Sequence, residues 1–238
     1  MKNTSKKILS IAAGAVLCCA LIAPNSQAVP IAPGADVGAV IEGQPTSGTL
    51  ISSLSSAFLS PGANGFSGTL RSVVINNDTT NPFGPTGLTF IYQIFSNLSS
   101  APTELRRLTL EGFNGFGVDA SFEIAANAFL TGLGFSNSGG PGDASNGAEL
   151  FDRSNNGDVI GSTFQTAGNR VGAGEFGAIF VFQTSATMFQ QNDANVINGG
   201  VATARVLAPS IPEGGSTLAL LGIALVAGEA LRRKLRAA

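Results

Sequence analysis

The chain has 238 residues, 44 % hydrophobic and only 12 % charged, with no His, no Trp, one Tyr and two Cys, and a formal net charge of −2. Without His, Ser-His-Asp and Cys-His nucleophilic machinery is excluded and zinc loses its usual ligands. The charge is unevenly placed: between residues 29 and 211 six arginines face thirteen carboxylates, about −7, which argues against nucleic acid or an anionic surface as a partner.

At the N-terminus, Lys2, Lys6 and Lys7 precede an apolar run over 8–23, and small residues follow at Ser26 and Ala28. This is the secretory pattern, with cleavage by signal peptidase expected after Ala28, so that 1–28 is a signal peptide. Cys18-Cys19 lies inside the apolar run rather than just after it, so ordinary export is expected rather than lipidation. A buried first helix fits three leading lysines less well. Both cysteines leave with the signal, so the mature chain has no disulfide or thiol chemistry and must be held by an apolar core. Residues 29–210, 182 of them, are enough for one.

Residues 29–67 read as a Gly/Pro/Ser/Thr-rich N-terminal segment whose one apolar stretch is TLISSLSSAFLS at 49–60. Strand signals then begin. SGTLRSVVINN carries Leu70, Val73, Val74 and Ile75 between a Gly start and an Asn-Asn-Asp turn. In GLTFIYQIFSN, Leu88, Phe90, Tyr92 and Ile94 fall on one face and Thr89, Ile91, Gln93 and Phe95 on the other, the pattern of a central strand. NNDTTNPFGPTG between them is a long turn broken by Pro82 and Pro85.

LRRLTLEGF (105–113) and VDASFEI (118–124) predict two further strands around Asn114-Gly115, and 125–133 one short helix. A glycine-rich loop follows at 136–147. EFGAIFVFQT (175–184) is the strongest strand signal, and VATARVL (201–207) follows the turn Asn198-Gly199-Gly200. Six or so strands, many turns and little helix predict a mainly β, antiparallel β-sandwich ectodomain over 68–209.

Chemistry is sparse. Asp119 and Glu123 share a strand face or lie close, so a glycosidase-like carboxylate pair stays open. The carboxylates otherwise sit beside Gly, Asn or Ser, as solvated groups do. A sugar-cleaving enzyme needs aromatic platforms, yet Trp is absent and Tyr92 stands alone, so no enzyme and no cofactor are expected. In DRSNNGDVIGST, Asp152, Ser154 and Asn156 occupy loop positions 1, 3 and 5, with Asp158 completing the oxygen-bearing set and Gly157 allowing a sharp turn. That spacing can wrap a Ca²⁺, but the closing Glu is replaced by Thr163 and flanking helices are lacking. The same residues suit an ordinary hairpin turn.

The chain ends in IPEGGSTLALLGIALVAGEALRRKLRAA. The apolar run 218–231 spans about 21 Å as a helix, and 216–233 about 27 Å, against a hydrocarbon core of about 30 Å. Residues 218–228 have no polar face, so a soluble helix there would need burial on every side. One short transmembrane helix over 218–231 is therefore expected, with Arg232, Arg233, Lys234 and Arg236 on the cytoplasmic side.

The order P-E-G-G-S-T, short apolar span, R-R-K resembles the PEP-CTERM sorting signal of exported bacterial proteins, in its P-D/E-G-G-S-T variant. Pro212, Glu213, Gly214, Gly215, Ser216 and Thr217 match the recognition element, and Arg232, Arg233 and Lys234 the retention tail. Gly214 stands where the Pro-Glu-Pro form has its second Pro. The resemblance covers 211–238 and implies processing by an exosortase-like membrane enzyme. It implies tethering at the inner membrane first, then residence on the outer surface or in an extracellular matrix, in association with exopolysaccharide and biofilm production. The strand series GTLRSVVIN, GLTFIYQIFSN and FGAIFVFQTSA also resembles an ectodomain found in some members, without an assigned activity. The expectation is a non-catalytic structural or matrix-associated protein; the alternative is a carbohydrate- or envelope-binding module on the same sandwich. A binding module should expose a concave cluster of aromatics, whereas a structural body should bury nearly all its Phe side chains.

Overall fold

Segments whose apolar side chains alternate, or crowd both faces, form strands. The computed structural model describes residues 28–62, 65–97, 104–140 and 146–211, and the single position Leu225. The expected signal peptide, sorting motif and basic tail lie outside the described residues, as does the membrane span apart from Leu225, which is helical and exposed. Among the described residues no helix is long and apolar enough to cross a membrane.

In chain order the elements are β1 (Val29–Pro30), β2 (Asp36–Gly38), β3 (Thr49–Ser60), β4 (Phe66–Asn76), β5 (Thr89–Ser96), β6 (Arg107–Leu110), β7 (Val118–Glu123), α1 (Ala128–Gly132), β8 (Leu150–Arg153), β9 (Ile160–Thr163), β10 (Ile179–Thr184), β11 (Phe189–Ile197) and β12 (Val201–Pro209). They make two six-stranded sheets, ordered β1-β7-β10-β5-β4-β3 and β12-β11-β6-β9-β8-β2. Every pairing between named strands is antiparallel. The protein is mainly β.

One apolar core is shared by both sheets. Leu70, Val74, Phe90, Tyr92, Ile94, Phe180 and Phe182 of the first sheet meet Leu108, Leu110, Phe151, Ile160, Val196 and Val206 of the second. Phe182 packs edge-on against Phe113 and Phe151, with ring centroids 5.9 and 5.6 Å apart, the offset that aromatic quadrupoles favour. The Tyr92 hydroxyl, buried in this core, donates to the Leu207 carbonyl at 2.6 Å, so one polar bond ties β5 to β12 across the layer.

The first sheet is also covered on its outer face, which is why β5 and β10 are apolar on both sides. Val73, Ile75, Ile91, Ile179 and Val181 pack there against Leu130, Leu133 and Phe135 of α1 and the residues after it. The helix is short but capped at both ends. Asn127 Oδ1 accepts from the Leu130 amide at 2.9 Å, and Gly134, at a left-handed φ of 85° that favours glycine, turns the chain back. Arg71 on β4 donates through Nε and Nη2 to the Leu133 carbonyl at that end.

Residues 29–62, expected as a segment apart from the ectodomain, contribute β1 and β3 to the first sheet and β2 to the second. The boundary at 67/68 therefore separates nothing. The Gly- and Pro-rich flanks hid strands whose partners, β7, β8 and β4, come later in the chain. The strands expected at 67–77, 87–97, 105–113, 118–124, 175–184 and 201–207 are found as β4, β5, β6, β7, β10 and β12, with β6 and β10 shorter than their signals.

Candidate functional site

The outer face of the first sheet changes character along its length. Beyond the apolar patch under α1, β7 presents Asp119, Ser121 and Glu123, and β10 and β5 continue the Asp119 row with Gln183 and Thr89. The turn after β4 folds Asp78 over this row. Asp78 Oδ2 accepts from Thr89 Oγ1 at 2.8 Å and Gln183 Nε2 at 3.0 Å, and Oδ1 accepts from Thr80 Oγ1 at 2.6 Å. That carboxylate is 1 % exposed, and hydrogen bonds alone hold it.

The segment between β2 and β3 closes the other side. Glu123 Oε1 accepts from three successive amides, those of Glu42 (3.1 Å), Gly43 and Gln44 (3.1 Å). Three N–H dipoles converging on one oxygen form a nest for a carboxylate. Burial nevertheless dominates and raises the Glu123 pKa, with the three amides opposing it. This oxygen is fully committed to holding the loop.

Glu42 and Asp119 remain. Burial, with the Asp119 charge next in importance, raises the Glu42 carboxyl to about 7, and a hydrogen bond with Ser121 opposes the rise. Burial raises Asp119 to about 6, offset in part by the Ala120 amide. Asp119 is 6 % exposed, and its Oδ1 has no hydrogen-bond partner among the described residues. Glu42 and Asp119 thus hold their protons to a higher pH than ordinary carboxyls do, chiefly because burial disfavours their charged forms. No group of three or more acidic side chains among the described residues is placed to hold a metal ion. Asp119 and Glu123 do share a strand face, as expected, but Glu123 is occupied by the loop amides and the close electrostatic partner of Asp119 is Glu42.

The Asp152–Thr163 stretch forms β8, a turn and β9. Asp152 accepts from Arg107 through both oxygens, at 2.7 and 2.8 Å, and Arg107 also donates to Thr163 Oγ1 at 2.7 Å. The pair spans β6, β9 and β8, passing over Gly161, where a Cβ would stand 2.1 Å from Arg107 Nη2. Ser154 Oγ donates to Asn156 Oδ1 at 2.7 Å and accepts from the Val159 amide at 2.9 Å. Asp158 Oδ1 accepts from the Gly112 amide at 3.2 Å. Of the four residues considered for Ca²⁺, Ser154 and Asn156 bond to each other within the hairpin turn, Asp152 pairs with Arg107, and Asp158 accepts from Gly112.

Arg153, next to Asp152, had no sequence signal. It is 5 % exposed and donates to four carbonyls: Gly157 (2.8 Å), Ile31 (3.0 Å), Phe113 (2.6 Å) and Phe116 (2.9 Å). Its charge is spread over backbone dipoles from three separate segments, and burial lowers its pKa.

Among the described residues, two surface clefts stand out. One of about 310 Å³ is lined by Asn114, Phe116, Asp158, Gln190 and Asn192 near the end of β12. The other, about 260 Å³, lies between Phe95, Phe176, Arg71 and Ser55. Phe95 and Phe176, both half-buried with their rings 4.7 Å apart, form one wall of the second. No protein-family model matches the chain, and neither a curated protein nor a solved structure matches it.

Proposed function

We propose that the chain is an exported, surface-sorted structural or matrix-associated protein without catalytic activity, built on a β-sandwich body. The observation that carries the structural half is the fate of the aromatics. All sixteen Phe lie among the described residues; ten are buried, five are half-buried, and only Phe83 is exposed, at 37 %. Tyr92 is buried as well. A sugar- or ligand-binding face needs several stacking rings well open to water, and Phe83 is the one exposed ring among the described residues. The raised carboxyls support the same reading: the best placed, Glu123, holds its own loop.

The sorting half rests on the two ends of the sequence. Lys2, Lys6 and Lys7 with the apolar run support export with maturation before Val29. Pro212–Thr217, the short apolar span and Arg232, Arg233 and Lys234 support tethering at the inner membrane and release by an exosortase-like enzyme. Among the described residues Ser210 is the last whose amide bonds to the body, through the Met188 carbonyl, and the motif begins two positions later in the sequence. Mass spectrometry of cell-surface or secreted material from the native host tests this. The expected C-terminal peptides end within 212–216, and the N-terminal peptide begins at Val29. Intact peptides running through Leu231 in that material would defeat the sorting reading.

A further inference from the structure

Each sheet has two edges, and three of the four are blunted. β1 is two residues long and ends on Pro30, which has no amide to donate. β2 is three residues long and carries Asp36. β12 is longer, but it carries Arg205 and ends on Pro209. Its Arg205 amide turns to Ser56 Oγ at 3.1 Å and its Leu207 amide to Ser72 Oγ at 3.1 Å, so both are spent on the opposite sheet.

β3 is different. It is twelve residues long, TLISSLSSAFLS, with no charged residue and no Pro. It pairs with β4 along one side, and among the described residues no strand pairs with its other side. The register slips once, between Leu50 and Ser52, leaving Ser52 to Ser60 in unbroken pairing. Over that run Ser53, Ser55, Ala57 and Leu59 are exposed, Leu59 at 70 %, while Phe58 and Ser60 are buried. An edge of this length with no charge and no proline, and with no strand pairing with it among the described residues, is a template for another strand, since every second residue offers an N–H and C=O outward.

We propose that β3 pairs antiparallel with β3 of a second copy, joining the two first sheets into one continuous sheet across a two-fold axis. Two features favour a second copy as the occupant. The body carries about −7, so two copies repel over most of their surface, whereas 49–60 is a strip with no charge to bring together. An antiparallel two-fold also keeps faces in register: the small outer row Ser53, Ser55 and Ala57 meets its own copy without a clash, and Leu59 gains apolar contact. Backbone pairing supplies the affinity, and the modest width of one edge makes the dimer reversible. The proposal does not depend on the sorting reading, because it is measured on purified protein and not on envelope material.

The test is sedimentation of the full chain in a mild detergent across a concentration series, with hydrogen exchange of the 49–60 amides read on the same samples. Ser53→Lys with Ala57→Lys places four ammonium groups along one dimer strip and should weaken association about tenfold. Gln191→Lys with Ala128→Lys, adding the same charge at exposed positions elsewhere, should leave association unchanged. Thermal midpoints within a degree or two of the parent show that both variants fold. Protection of the 49–60 amides should rise with concentration in the parent. Association insensitive to the β3 lysines would place the contact elsewhere and overturn the proposal. So would a monomer at every concentration, or protection of β3 that does not vary with concentration, which would mean that another segment of the same chain covers the edge.

Discussion

Asp119 offers a test in which the sign as well as the size of the effect is fixed by the structure. Its carboxyl lies at 6 % exposure with one oxygen unpartnered, and burial raises its pKa from 3.8 to about 6. Below pH 3.8 both the folded and the unfolded chain hold the proton and the site costs nothing. As the pH rises from there, the unfolded chain ionises first while the folded one keeps its proton. Stability therefore falls, and the loss is complete above about pH 6. Two pH units at 1.36 kcal/mol each give about 3 kcal/mol lost between pH 3.8 and neutrality. Asp119→Asn keeps the shape and removes the titration. Relative to the parent, the variant should therefore gain about 2–3 kcal/mol on going from pH 4 to pH 7.5. Glu42 is only half-buried, so its own share is screened and is not added. Urea unfolding at the two pH values, read by the single buried Tyr92 and by circular dichroism, measures the difference. If the two proteins lose stability in parallel between pH 4 and 7.5, Asp119 is not a buried, proton-holding carboxyl and the account of the cluster fails.

Arg153→Met removes the donor to four carbonyls, three of them in buried bonds, and should cost about 3–5 kcal/mol, seen as a fall in the urea midpoint, with Arg153→Lys recovering only part. Glu123→Ala frees three amides, and hydrogen exchange at Glu42, Gly43 and Gln44 should speed up well before global unfolding. Tyr92→Phe leaves the Leu207 carbonyl without its donor inside the core and should cost about 1–2 kcal/mol by urea titration. Arg107→Ala strips Asp152 of both its donors on a partly exposed face. It should cost about 1 kcal/mol or less, and a loss above 3 would mean that this pair is a buried one.

How far the sequence revealed this molecule depended on where each residue's partner lay. β5 and β10 could be read because both of their faces are covered, by the core and by α1, and such strands are apolar throughout. β11 could not. FQQNDANVI shows five polar residues in its first seven, and it is a strand because β12 and β6 flank it while only Ala194 and Val196 are buried. β3 is an uncharged run with apolar Leu, Ile, Ala and Phe among its serines, but its Gly- and Pro-rich surroundings suggested a separate segment. At the candidate site, Asp119 and Glu123 could be paired by their spacing along one strand. Glu42 could not, because it reaches them through a loop whose placement depends on the Glu123 nest. Arg153 looked like any hairpin arginine; its role follows from burial alone.

The Arg153–Ile31 bond also bears on the order in which the chain can be assembled. Its partners are 122 positions apart, and β1 and β2 find their neighbours only in β7 and β8. At a synthesis rate of roughly 5–20 residues per second, residue 31 waits about 6 to 24 s for the arginine that will hold it. The earliest strands to emerge are thus seated only when much later ones arrive, β1 when β7 is made and β2 when β8 is, and Arg153 then locks the segment that joins them.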